Sequence, residues 1–172
     1  MLPPLPLATW ITFSRLLGIP VILYGLSLDS QQGDWLTGIV FVVAALTDWV
    51  DGYVARRFNQ VTDLGKFLDP LVDKLLILTP LLCFVEKGMI PAWGVFLIVA
   101  RELTVAGWRV NQVQITGASR WGKVKTVVQS LAVVWLLTGL PGGIPCFWLA
   151  VAITLWSGWL YLRPQAVTEK SS

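Results

Sequence analysis

Six apolar runs of about twenty residues, split by connectors of a few polar residues, leave this chain few folds to choose from. They cover roughly residues 8–28, 35–56, 65–85, 91–111, 122–140 and 144–162. A hydrocarbon core about 30 Å thick takes about 20 helical residues to cross. In lipid, a helix satisfies its own backbone, which open irregular chain cannot do. The short connectors 29–34, 86–88 and 140–143 are rich in turn formers. The expected fold is all-α, an integral membrane bundle of six transmembrane helices. No repeat, low-complexity tract or linker divides it, so residues 1–172 are expected to form one domain.

Composition agrees. Charged residues make up 13% of the chain, about half the share of an average soluble domain. The ten tryptophans suit a protein with two membrane–water interfaces. The net charge is only +3 and no basic run tracks a phosphate backbone, so nucleic acid is not an expected partner. Histidine is absent, which excludes imidazole bases, His-ligated zinc and His-based triads. Cys83 and Cys146 lie in apolar stretches and read as two buried thiols. The first residues lack a basic start and Arg15 interrupts the first apolar run, so the N-terminus does not read as a cleavable signal.

Orientation follows from the basic residues. Arg56, Arg57 and Lys66 follow span 2, while Arg109, Arg120, Lys123 and Lys125 cluster around the connector after span 4. The odd connectors together offer only Lys87. Both termini and the even connectors are therefore expected in the cytosol.

Spans 2 and 3 carry four acids, Asp48, Asp51, Asp69 and Asp73. A charged residue at a membrane helix centre costs roughly 2.5–3.5 kcal/mol on insertion scales, and four need compensation even nearer the surface. Asp48 and Asp51 are spaced i, i+3, and Asp69 and Asp73 i, i+4, so each pair shares a helix face. At about 1.5 Å per residue, Asp48 and Asp73 each lie about 12 Å above the cytosolic ends of their spans. If spans 2 and 3 are antiparallel neighbours, Asp48 faces Asp73 and Asp51 faces Asp69. Such a square of carboxylates, with no His or Cys donor, selects Mg²⁺ or Mn²⁺. Two such ions would suit displacement at phosphorus. Two other readings stay open: acids paired with Arg15, Arg56 or Lys74, and a proton or cation pathway.

The acids belong to a longer string, Asp48-x2-Asp51-Gly52-x2-Ala55-Arg56-x8-Gly65-x3-Asp69-x3-Asp73. It resembles the signature of the CDP-alcohol phosphatidyltransferase family, with eight specified residues at fixed spacing. The resemblance implies that Asp48, Asp51, Asp69 and Asp73 hold the divalent metals. It implies that Asp48, Asp51, Gly52, Ala55, Arg56, Gly65 and Asp69 form the CDP site, and that Asp73 is the general base. Independently of the family, Gly52 and Ala55 would leave room beside the span 2 backbone, or pack two helices closely. Arg56 reads either as a pyrophosphate ligand or as a snorkelling anchor. As the deepest acid of span 3, Asp73 would sit where burial penalises its charged form. Pro70 suits a first-turn position, or else kinks span 3 near the site.

The second half carries a basic set: Arg101, Arg109, Lys123 and Lys125. An anion near the metals would gather these cations, although Lys123 and Lys125 could equally serve topology. Glu102 reads as a structural partner of Arg101. The stretches Ala100-Arg101-Glu102 to Gly107-Trp108-Arg109 and Gly122-Lys123-Val124-Lys125-Thr126 to Gln129 resemble the branch of the family whose acceptor is sn-glycerol 3-phosphate. That branch implies a phosphate pocket at Arg101, Arg109, Lys123 and Lys125. One departure is Thr9, where the branch has Asn; Thr12 and Arg15 fit its pattern.

The resemblance thus implies phosphatidyl transfer from CDP-diacylglycerol, with CMP released. It also implies a homodimer in a lipid bilayer, the bacterial inner membrane or an organelle membrane of bacterial descent. The alternatives are another acceptor (inositol phosphate, serine, choline or phosphatidylglycerol) and, in a different class, a small cation transporter.

Overall fold

The computed structural model describes residues 7–28, 30–58, 63–110 and 120–163; side chains at 7–13, 31, 48–58, 63–69, 109–110 and 120 are not described. Among the described residues the chain is all-helical, with α1 Leu7–Ser27, α2 Gln31–Phe58, α3 Asp63–Glu86, α4 Ala92–Val110, α5 Arg120–Leu137 and α6 Gly143–Leu162. These follow the six apolar runs of the sequence. One helix, Gly143–Leu162, is long and apolar enough by itself to qualify as a membrane span, and Ser14–Ser27 and Gln32–Thr47 are shorter apolar stretches.

The boundaries differ from expectation at two places, each for a local reason. Most of the connector over 29–34 is helical, because Ser30 begins α2 early. The Ser30 hydroxyl accepts from the Gly33 backbone N–H at 3.1 Å, filling one of the donors that a helix start leaves open. Helix α5 stops at Leu137 rather than 140. Gly139 takes φ 63°, and its N–H turns back to the Leu136 carbonyl at 3.2 Å. This is the left-handed stop that glycine adopts without a Cβ penalty. Pro70 lies well inside α3, as does Pro80. Its first-turn reading is therefore set aside in favour of an interruption of the backbone ladder.

The helices form two trios. Helix α1 packs along both α2 and α3, and α6 packs along both α4 and α5. The trios meet where α5 touches α2 and α3, and where α3 touches α4. Direct packing of α2 on α3, which the expected matching of Asp48 with Asp73 required, is slight at most among the described residues.

Close approach of α1 to α2 depends on glycine. A Cβ on Gly25 would collide with Thr37 Oγ1, and one on Gly33 would lie 2.7 Å from the Gly25 carbonyl oxygen. Small residues let helix backbones approach this closely. The interior is apolar, built on Ile22, Leu26, Phe41, Val72, Leu81, Phe84, Val133 and Phe147. Cys83 and Cys146 are free thiols, as expected, but they are partly rather than fully buried.

The outer surface is also apolar. Leu17, Tyr24, Ile39, Leu82, Phe96, Leu103, Val127 and Leu149 are all more than half exposed. Exposed tryptophans gather towards both ends: Trp35, Trp93 and Trp135 at one, and Trp108, Trp121, Trp156 and Trp159 at the other.

Candidate active site

A cleft of about 180 Å³ opens at the seam between the trios. Helix α3 supplies Pro70, Asp73, Lys74, Ile77 and Leu78; α4 supplies Ile98 and Glu102; α5 supplies Lys125, Thr126 and Gln129. Its charged residues come from the N-terminal half of α3 (Asp73, Lys74), the C-terminal half of α4 (Glu102) and the N-terminal half of α5 (Lys125), with Ile77, Leu78, Ile98 and Gln129 just beyond the helix midpoints. The cleft therefore lies toward the end of the bundle where α2 leads to α3 and α4 to α5, the end with the basic connectors.

Asp73 is the one acid of the expected metal set whose side chain is described. It is 38% exposed, and Arg15 Nη1 donates to its Oδ1 at 2.6 Å. Arg15 itself is buried, at 3% exposure. The burial expected from the depth of Asp73 in span 3 is only partial: the side chain opens to the cleft and is ion-paired. The ionic-partner alternative holds to this extent, that Arg15 is the partner. Asp48, Asp51, Gly52, Ala55, Arg56, Gly65 and Asp69 lie in helical segments whose side chains fall outside the described residues, as does the side chain of Arg109. Among the described residues no group of three acid, His or Cys side chains could hold a metal. The donor chemistry nonetheless fits a hard divalent cation. Asp73 presents carboxylate oxygen to the cleft, and Asp69 stands one turn earlier on the same helix.

The basic set divides. Lys125 is mostly buried and lines the cleft. Its ammonium donates to Glu102 Oε1, bridging α5 to α4. Arg101 is also mostly buried, but it does not line the cleft. Its Nη1 donates to Glu102 Oε1 at 2.9 Å and its Nη2 to Ser157 Oγ at 3.0 Å, across to α6. Gly158 makes that course possible, since a Cβ there would lie 2.9 Å from Arg101 Cγ. Lys123 is exposed and off the cleft. Glu102 is the structural partner that the sequence suggested, and it serves both cations.

The sequence did not single out Lys74 or Gln129 as site residues, yet both line the cleft. Gln129 lies four residues after Lys125, and that i, i+4 spacing was the available signal. Below the cleft, Gln129 Nε2 donates to Thr154 Oγ1 at 2.8 Å and Ser157 Oγ donates to the Thr154 carbonyl at 2.9 Å. A polar seam therefore ties α4, α5 and α6 together just beneath the site.

Comparison with known proteins bears on what this cleft serves. The family model for CDP-alcohol phosphatidyltransferase matches residues 5–157. The chain is 44% identical over 145 residues to a CDP-diacylglycerol–glycerol-3-phosphate 3-phosphatidyltransferase of Bacillus subtilis, covering 78% of this chain and 75% of that protein. Proteins of the same name from Rickettsia felis and Sodalis glossinidius are each 34% identical to it. They cover 91% and 92% of this chain and 93% of each relative. With a family match over most of its length and relatives aligned almost end to end, the chain belongs to the CDP-alcohol phosphatidyltransferase family.

Proposed function

We propose that this protein transfers the phosphatidyl group of CDP-diacylglycerol to sn-glycerol 3-phosphate, releasing CMP. The observation that carries the reading is the cleft that Asp73 and Lys125 both line, together with the activity for which the relatives are named. Phosphate transfer to a phosphorylated alcohol needs a base for the hydroxyl and a cation for the acceptor's own phosphate. The cleft offers both, with Lys74 as a second cation on its wall.

The bundle is placed in a membrane with all six helices spanning it. Support comes from the exposed apolar side chains around the bundle, far more than a soluble monomer tolerates. The tryptophans support it as well. Trp93 and Trp108 on α4, and Trp121 and Trp135 on α5, stand roughly 21–22 Å apart along their helices. Two aromatic belts at the interfaces have this form. With the basic connectors inside, the cleft opens to the cytosolic leaflet of a bacterial inner membrane. There a lipid-borne nucleotide and a soluble acceptor can meet.

In the reaction, Lys125 holds the acceptor phosphate while Glu102 keeps the ammonium in place. Asp73 accepts the proton of the acceptor 1-hydroxyl. That oxygen forms a bond to the phosphorus bearing the diacylglycerol, and the bond from that phosphorus to CMP breaks. Asp48, Asp51, Asp69 and Asp73 are the residues that would hold Mg²⁺ or Mn²⁺, with Gly52, Ala55, Arg56 and Gly65 shaping the nucleotide pocket. When bound, such ions neutralise the charge that develops on the phosphates and on leaving CMP. Arg15 holds Asp73 in orientation from beneath.

The test is CMP release by the purified protein in detergent, given CDP-diacylglycerol, Mg²⁺ and one acceptor at a time. Release with sn-glycerol 3-phosphate and not with serine, inositol phosphate or phosphatidylglycerol is expected. Release only with another alcohol overturns the acceptor, and cation flux without CMP release overturns the enzyme reading.

A further inference from the structure

Gln129 is 4% exposed, yet it forms part of the cleft wall. Its amide is held in one orientation by a chain of two hydrogen bonds. The Thr154 hydroxyl donates its single proton to the Ala150 carbonyl at 2.6 Å. Toward Gln129 that hydroxyl can therefore only accept, and the atom facing it must be the amide nitrogen, which it meets at 2.8 Å. The Gln129 oxygen is left for the cleft. No hydrogen bond occupies it among the described residues, and it is not among the buried polar atoms shut away without a partner. An acceptor oxygen set in a mostly apolar wall is a recognition element for a hydroxyl donor.

Its position adds meaning. Gln129 stands one turn from Lys125 on the same face of α5, about 6 Å along the axis. Asp73 faces the cleft from α3. Lys125 and Gln129 from α5 and Asp73 from α3 thus line one small space, whose wall also carries Lys74 and Glu102. An acceptor with a phosphate, a middle hydroxyl and a terminal hydroxyl presents three matching groups. Building on the acceptor reading above, we propose that Gln129 is a specificity-determining residue. Its Oε1 accepts the hydrogen bond of the acceptor's non-reacting middle hydroxyl, and contact at Lys125, Gln129 and Asp73 together reads the handedness of the central carbon. Thr154 is the positioning residue that keeps the amide from flipping.

The test compares kcat/KM of the full chain in detergent for three acceptors: sn-glycerol 3-phosphate, its enantiomer sn-glycerol 1-phosphate, and 3-hydroxypropyl phosphate, which lacks the middle hydroxyl. The wild-type protein is expected to favour the first over both others by about tenfold or more, because a site built for a hydroxyl is left unpaired by its absence. Gln129→Met, of similar length without the amide, should collapse both ratios toward one. Thr154→Val should reduce them by freeing the amide to turn. A wild-type protein that uses 3-hydroxypropyl phosphate as well as sn-glycerol 3-phosphate overturns the proposal, and so does a Gln129→Met protein that keeps both ratios. If Gln129→Met does not fold, the wild-type ratios and Thr154→Val decide. Absence of CMP release from the wild-type protein with sn-glycerol 3-phosphate would instead overturn the acceptor reading on which this inference rests.

Discussion

Arg15 on α1 and Asp73 on α3, 58 residues apart in the chain, meet through an Nη1–Oδ1 bond of 2.6 Å. The arginine is buried beneath the bond and the aspartate opens into the cleft above it. The pair has a buried structural end and an exposed chemical end, so its two halves should respond differently to substitution.

Asp73→Asn keeps the shape and can still accept from Arg15, but it cannot take up the acceptor's proton. Activity should fall by at least a hundredfold while the protein remains folded by circular dichroism and elutes normally in detergent. Wild-type turnover would remove Asp73 from the mechanism.

Arg15→Met removes a buried cation and leaves Asp73 without this anchor. We expect a lower midpoint of thermal unfolding as well as a lower kcat, since a charge deprived of its buried partner costs about 1–3 kcal/mol. A protein as stable and as active as wild type would show that the bond orients nothing.

Lys125 and Arg101 share the Glu102 carboxylate but face different ways. Lys125→Met should raise KM for the phosphorylated acceptor about tenfold or more, through loss of a charged hydrogen bond, with little change in KM for CDP-diacylglycerol. Arg101→Met should act chiefly on stability, because its guanidinium is spent on Glu102 and Ser157. Steady-state kinetics and thermal melts on both variants separate the two roles; a selective rise in acceptor KM for Arg101→Met would place it in the phosphate pocket after all.

Gly158→Ala puts a Cβ 2.9 Å from Arg101 Cγ. Overpacking of this kind costs about 1–3 kcal/mol, so the melt should shift down. Gly107→Ala on α4 is the control. Nothing lies within 4 Å of its added methyl, and the melt should hold steady or rise slightly, as helix propensity favours alanine over glycine.

Removing divalent cations with a chelator should abolish CMP release, and Mg²⁺ or Mn²⁺ should restore it. Full activity in excess chelator would exclude a metal role for the four aspartates.

The primary structure determined much by itself. Six apolar runs of about twenty residues predict six helices, and the six helices among the described residues follow those runs. The Asp48 to Asp73 string carried the family in its spacing. Spacing could also place Asp69 and Asp73 on one face of α3, because a helix makes neighbours of residues four apart. What it could not supply was any contact between helices. That Arg15 lies under Asp73, that Glu102 joins Arg101 to Lys125, and that the two cations then diverge, one to the cleft and one to α6, depends on which helices are neighbours. Helix α1, not α2, lies closest along the described part of α3. Gln129 shows the same limit most sharply. In the sequence it is one of several polar residues in the first two-thirds of α5. Only the hydroxyl of Thr154, brought from α6 with its proton already committed to Ala150, decides which end of its amide faces the cleft.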